Sequence, residues 1–224
     1  MQLRKATRKE VKIKMALQGS SGSGKTWSAL LLAYGLCGSW EKIALVDTEN
    51  GSADLYAHLG PFQVLPLQEP YSPERYIQAI EACEKAGIEV IILDSISHGW
   101  DYLLNYHSSL PGNSFANWAK VTPRQRKFVD KMLHASCHLI ATMRTKQEYV
   151  LNQKNGKHVP EKVGLKAIQR DGVDYEFTIV FDLNLNHLAK ASKDRTSLFM
   201  DQPEFVISRE TGLAIRKWCE QAQG

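Results

Sequence analysis

Eight consecutive residues, Gly19-Ser20-Ser21-Gly22-Ser23-Gly24-Lys25-Thr26, satisfy GxxxxGK[ST] in full. The glycines let successive backbone N–H groups curl around a β-phosphate, and a helix starting at Lys25 adds its N-terminal dipole. Lys25 then supplies a cation to the β- and γ-oxygens, and the Thr26 hydroxyl is a ligand for Mg²⁺. Trp27 follows at once and belongs to the same nucleotide-contacting run. The plain alternative is a Ser/Gly linker in front of a helix. An apolar strand upstream, "VKIKMAL" (11–17), argues for the phosphate loop, whose context is strand before and helix after.

Two carboxylates stand at the expected distance downstream. "VIILD" ends in Asp94, and a carboxylate at the C-terminal end of a buried strand lies where open α/β sheets bind ligands. From there it holds Mg²⁺ through water, opposite Thr26. "KIALVD" ends in Asp47, with Glu49 two residues later in "DTENG". Hydrolysis of a γ-phosphate needs a group that orients and polarises water, which Glu49 can provide. The same residues also read as a polar turn built on Asn50-Gly51.

The net charge of +4 is unevenly spread. Residues 1–14 net +5 and residues 144–170 net +5, leaving a mildly acidic body. Such segments fit an anionic partner, nucleic acid first, or else solvated surface. Within 144–170, Arg144, Lys146, Lys154, Lys157, Lys162, Lys166 and Arg170 are mixed with Tyr149 and several Asn and Gln. Cations for phosphates and a ring for a base suit sequence-independent binding of single strands. The arm over 1–10 either adds phosphate contacts or is solvated. His134 and His138, with Cys137 between them, have metal-like spacing but straddle a helix end and lack a third ligand, so they read as structural. Trp100 and Trp118 either stack on bases or pack against the body.

These residues need a frame to hold them. Short apolar runs alternate with helical patterns: strands at 11–17, 42–47, 62–67, 88–94 and 138–143, with helices over 25–37, 73–86 and one beginning at Thr122-Pro123. That alternation predicts a doubly wound, mainly parallel α/β sheet. After residue 144 the pattern predicts a hairpin turning at Asn155-Gly156. Strands at 177–185, 187–192 and 197–200 then add antiparallel edges, and a helix near 211–221 closes the chain. The 224 residues suit one domain. No apolar run approaches the roughly 20 residues of a membrane helix. The first residues lack the apolar core of a secretory signal, and the four cysteines form no CxxC pair, so a cytoplasmic protein without a membrane partner is expected.

The order of phosphate loop, strand followed by D-x-E, and apolar strand ending in "LDS" resembles the RecA/RadA-like core of P-loop NTPases. The resemblance covers about residues 11–205. It implies an ATPase using ATP and Mg²⁺, with Glu49 as the catalytic base. It also implies DNA-binding loops over 144–170 and about 98–120. In "KASKDRTSLF", Lys193 and Arg195 match a basic pair that reaches a neighbour's ATP site, which implies a homo-oligomer, ring or filament. Two alternating cations facing solvent are the bland reading. The short layout resembles phage-encoded RecA/RadA-like ATPases of single-strand annealing, and "VGLKAIQRDGVDYEF" resembles the signature of a phage-associated P-loop ATPase family. The implied partners are single-stranded DNA and a single-strand-binding protein, in a bacterial host cell. A small-molecule kinase shares the loop and the size, but 144–170 holds only two arginines where its lid is arginine-rich. A nucleotide-gated subunit of a larger DNA-processing machine is the third reading.

Overall fold

The computed structural model describes residues 7–8, 11–154 and 157–221, with the side chains of 147–154 and 157–165 outside that description. Among the described residues nine strands form one sheet: β1 (Lys14–Gly19), β2 (Ile43–Asp47), β3 (Gln63–Pro66), β4 (Val90–Asp94), β5 (His138–Lys154), β6 (Lys157–Ala167), β7 (Ile179–Leu183), β8 (Leu188–Asp194) and β9 (Phe205–Val206). Their order is β3-β2-β4-β5-β1-β7-β8-β9, with β6 paired to β5. All pairs from β3 through β7 are parallel, whereas β5–β6, β7–β8 and β8–β9 are antiparallel. The helices are α1 (Lys25–Cys37), α2 (Pro73–Lys85), α3 (Ser97–Ser109), α4 (Ser114–His134) and α5 (Arg209–Glu220).

Strands with period-two side chains and both faces covered must be apolar throughout. Ile91 and Leu93 pack on the α2–α4 side, and Val90 and Ile92 on the α1 side. That is why "VIILD" shows no alternation. On the second side α1 and α5 cross at two glycines. A Cβ on Gly35 would stand 2.2 Å from the Arg209 carbonyl oxygen, and one on Gly212 would stand 2.3 Å from that of Leu32.

Several expectations need correction. Helix α4 begins at Ser114, capped by Asn113, whose side chain accepts from the N–H groups of Phe115 and Ala116. Pro123 lies inside it, because a buried face of Val121, Gln125, Phe128 and Met132 carries the helix past the missing donor. The expected loop over 98–120 is therefore mostly helix, with Trp100 stacked on Trp118 at 6.1 Å between α3 and α4. Residues 197–200 are no strand. The Asp194 carboxylate accepts from Thr196 and Phe199 N–H and curls the chain; β9 forms later. β7 extends the parallel sheet beside β1, so the antiparallel edge begins only with β8.

Lys14, counted in the basic stretch 1–14, forms the buried start of β1. Its ammonium donates to the carbonyls of Ala135 (2.7 Å) and Cys137, and burial lowers its pKa to about 8. Arg8 lies over the Trp218 ring at 4.6 Å; residues 1–6, 9 and 10 lie outside the described residues. Cys83, Cys137 and Cys219 are buried and Cys37 half-buried, all as free thiols. Among the described residues no helix is long and apolar enough to cross a membrane.

Candidate active site

The loop between β1 and α1 turns through Gly22 at φ +81° and Gly24 at φ +86°, a region L side chains rarely enter. Gly19 has a packing reason as well: a Cβ there would meet Ser23 Oγ at 2.5 Å and the Leu183 carbonyl oxygen at 2.6 Å. Lys25, Thr26 and Trp27 open α1, where the first N–H groups lack intrahelical acceptors. Lys25 Nζ donates to the carbonyls of Gly19 and Ser20, both at 2.9 Å, and burial lowers its pKa.

Parallel pairing of β2, β4 and β5 brings the strand tips together. Thr26 Oγ1 donates to Asp94 Oδ2 at 2.6 Å, and Thr142 Oγ1 on β5 donates to Oδ1. Asp94 is 2% exposed. Burial pushes its pKa up, and the two hydroxyls and Lys25 act the other way.

Asp47 organises the turn that carries Glu49, accepting from Glu49 N–H at 2.6 Å and Ala53 N–H at 3.3 Å. Asn50 and Gly51 both take positive φ, so the polar turn exists and presents Glu49 at the same time. Arg144 grips the Glu49 carboxylate with Nε on Oε1 at 3.0 Å and a terminal nitrogen on Oε2, while Ser95 Oγ donates to Oε1 at 3.2 Å.

The cavity holding these groups measures about 580 Å³ and is lined by Ser21, Gly22, Gly24, Lys25, Thr26 and Trp27, with Glu49, Asp94 and Arg144 opposite. Trp27 meets Tyr56 edge to face at 6.0 Å. The donor set fits a magnesium nucleotide. A hydroxyl and a buried carboxylate are hard oxygen ligands. Ser23 Oγ is buried with no hydrogen-bond partner in the protein, within the curl of N–H groups an oxyanion would satisfy.

Not every candidate joins this cavity. Lys193 donates to the Tyr175 and Asp174 carbonyls, and Arg195 to that of Tyr175 at 3.2 Å, at the far end of β8. Lys146, Lys166 and Arg170 line a separate groove. Tyr149, Lys154, Lys157 and Lys162 are on β5 and β6, their side chains outside the described residues. Arg144, grouped by sequence with the basic segment, sits instead in the phosphate cavity. His134 Nδ1 lies 2.7 Å from the Asp130 carbonyl oxygen, and His138 Nδ1 accepts from Ile13 N–H at 3.0 Å.

Sequence reasoning misses Thr142, Asp47 as a turn organiser, and His187. Thr142 is the lone hydroxyl of the apolar run 138–143, which is a readable signal. His187, at φ +62°, lies against Gly24 and offers no such signal.

A family model described as an AAA domain matches residues 11–208. Among curated proteins, none matches the chain significantly. The fold is similar to that of a KaiC-like protein from the hyperthermophilic archaeon Pyrococcus horikoshii OT3. The TM-score is 0.52 at 17% identity, over 88% of this chain and 86% of that one. The family match runs from the strand before the phosphate loop to the last edge strand: the chain belongs to the AAA domain family of P-loop ATPases.

Proposed function

We propose that this ATPase binds single-stranded DNA and couples ATP hydrolysis to its handling in phage recombination or strand annealing. The observation that carries the reading is a groove of about 1230 Å³ at the foot of the β5–β6 arm. Trp100, Phe115 and Trp118 face it from α3 and α4, and Lys146, Lys166 and Arg170 from the arm and the residues after it. Phe115 is 88% exposed, a large apolar ring held in solvent. Aromatic faces stack on bases of any sequence, and cations neutralise phosphates and release counterions. Lys166 also pairs with Asp171 at 2.9 Å. Residues 166–171 of the segment 163–177, which resembles a phage-associated P-loop ATPase family, line that groove.

In this reading ATP binds with Mg²⁺ held by Thr26 and, through water, by Asp94. Glu49 orients the attacking water. Lys193 and Arg195 serve the γ-phosphate of the next subunit in a homo-oligomer, which works in the cytoplasm of a bacterial host, with a single-strand-binding protein as a further partner. The test is phosphate release with and without single-stranded oligonucleotide. Stimulation of tenfold or more supports the proposal. Unchanged hydrolysis, or phosphate transfer to a nucleoside, overturns it.

A further inference from the structure

The strand order sets which way a nucleotide lies in the cavity. β1, which leads into the phosphate loop, stands between β5 and β7. Glu49 follows β2, Asp94 ends β4 and Arg144 lies on β5, all on one side of β1. His187, Val206 and Ile207 line the same cavity from the other side, where β7, β8 and β9 lie. With Thr26 and Asp94 as the magnesium side, the terminal phosphates point towards β4. The α-phosphate then lies towards β7.

His187 is the polar side chain of that second group, and the turn between β7 and β8 holds it there. The Asn184 side-chain oxygen accepts from the N–H groups of Asn186 at 2.9 Å and Leu188 at 3.1 Å. Its backbone N–H donates to the Leu188 carbonyl, and its carbonyl accepts from His187 N–H, both at 3.0 Å. Its amide nitrogen also donates to Glu204 Oε2 at 3.2 Å, just ahead of β9. These bonds keep His187 at φ +62°, a left-handed conformation that costs a residue with a side chain free energy. The result is an imidazole laid on the phosphate loop, with Nδ1 3.1 Å from where a Cβ on Gly24 would stand. The residue is exposed, and among the described residues no hydrogen bond engages its ring.

A neutral imidazole carries one N–H, and a phosphate oxygen is a charged acceptor. We propose that His187 is a nucleotide-contact residue, donating a hydrogen bond to the α-phosphate from the side of the phosphate loop opposite the carboxylates. ATP and ADP share that phosphate, so His187 raises the affinity for both without telling them apart. The choice of the α-phosphate rests on the reading of Thr26 and Asp94 as the magnesium side; the presence of the imidazole in the cavity does not.

The test is calorimetric titration with Mg²⁺ and either ADP or the β,γ-imido analogue of ATP, joined to phosphorus NMR of bound ADP. His187→Ala is expected to weaken both nucleotides by the same factor, about tenfold, the worth of one hydrogen bond to a charged group. The α resonance of bound ADP should move in the variant and the β resonance should not. His187→Gly takes a positive φ without strain and should lose the same factor, so it carries the comparison should the alanine distort the turn. Unchanged affinity in both variants overturns the proposal. So does a loss confined to the analogue, which would put the ring at the terminal phosphate, or an α resonance that stays in place. The magnesium reading has its own check. If Asp94→Asn binds the analogue with the same dependence on Mg²⁺ as the unaltered chain, that reading falls, and the α resonance still decides the role of His187.

Discussion

Thr26 at the head of α1 and Asp94 at the tip of β4, 68 positions apart in the chain, meet at 2.6 Å across the mouth of the sheet. A carboxyl buried there has its pKa raised from 3.8 by desolvation. An acid whose folded pKa exceeds its unfolded one costs stability once the pH passes the unfolded value, and the cost is fully developed above the folded one. Asp94→Asn should therefore raise the melting temperature of the nucleotide-free chain at pH 7, by about 2–4 °C for each kcal/mol relieved. The advantage should fade as the pH falls through the folded pKa towards 3.8. Differential scanning calorimetry from pH 7 to pH 4 checks the trend, and the same variant should lose Mg²⁺-dependent hydrolysis.

Glu49→Gln should separate binding from turnover. Losing a group that orients and polarises water costs about 10²–10⁴-fold in rate, with ATP binding retained. Lys25→Ala should instead weaken binding itself, since its ammonium is the cation held at the loop. Phosphate release and analogue titration on the two variants give the split.

Phe115→Ala should leave stability within about 0.5 kcal/mol, because a ring so exposed contributes little packing. Its effect should fall on single-stranded DNA, weakening affinity by about 1–3 kcal/mol, the value of one base stacked on an aromatic ring. Lys146→Ala should reduce the salt dependence of binding by roughly one phosphate contact. Fluorescence anisotropy over a series of salt concentrations reports both.

Gly35→Ala places a methyl group against the α5 backbone, 2.2 Å from the Arg209 carbonyl oxygen. Backbone cannot yield as a side-chain tip does, so α1 and α5 must separate. A loss of about 1–3 kcal/mol or more in urea unfolding is expected. Because α1 begins at the phosphate loop, nucleotide affinity should fall with it.

Arg195→Ala should abolish hydrolysis while nucleotide still binds, if Arg195 serves a neighbouring site. Mixed with Lys25→Ala subunits, it should recover part of the activity, since the Lys25→Ala chain keeps a usable Arg195. No recovery in mixtures would place the arginine's effect within its own chain.

Much of the site is legible along the chain because strand-end chemistry is local. Asp94 and Asp47 end apolar runs, and the loop motif carries its own strand and helix. Pro123 misleads for a physical reason: Thr-Pro is good material for a first turn, but the buried face from Val121 to Met132 extends to both sides of it. Arg144 misleads because its neighbours in sequence are arm residues, whereas the pairing of β5 with β1 ends at position 144 and its pairing with β6 begins at 145. That border is set by the pairing of distant strands. The trough beside Phe115 is likewise invisible until α3, α4 and the arm are assembled.

β5 is one unbroken strand of 17 residues, from His138 between its parallel neighbours to Lys154 far out on the arm. Residues 138–144 carry Thr142 and Arg144 against Asp94 and Glu49, and the ten beyond extend about 30 Å at strand rise. The two regions are ends of one strand, whose pairing with β6 shifts register between Glu148 and Tyr149. Ile168 N–H bonds the Arg144 carbonyl, and the next residue, Gln169, is tied to the body: its amide donates to the Ile96 carbonyl at 3.2 Å and accepts from Gln125 at 2.9 Å. The backbone that runs out along the arm is thus the same one whose Thr142 and Arg144 touch Asp94 and Glu49.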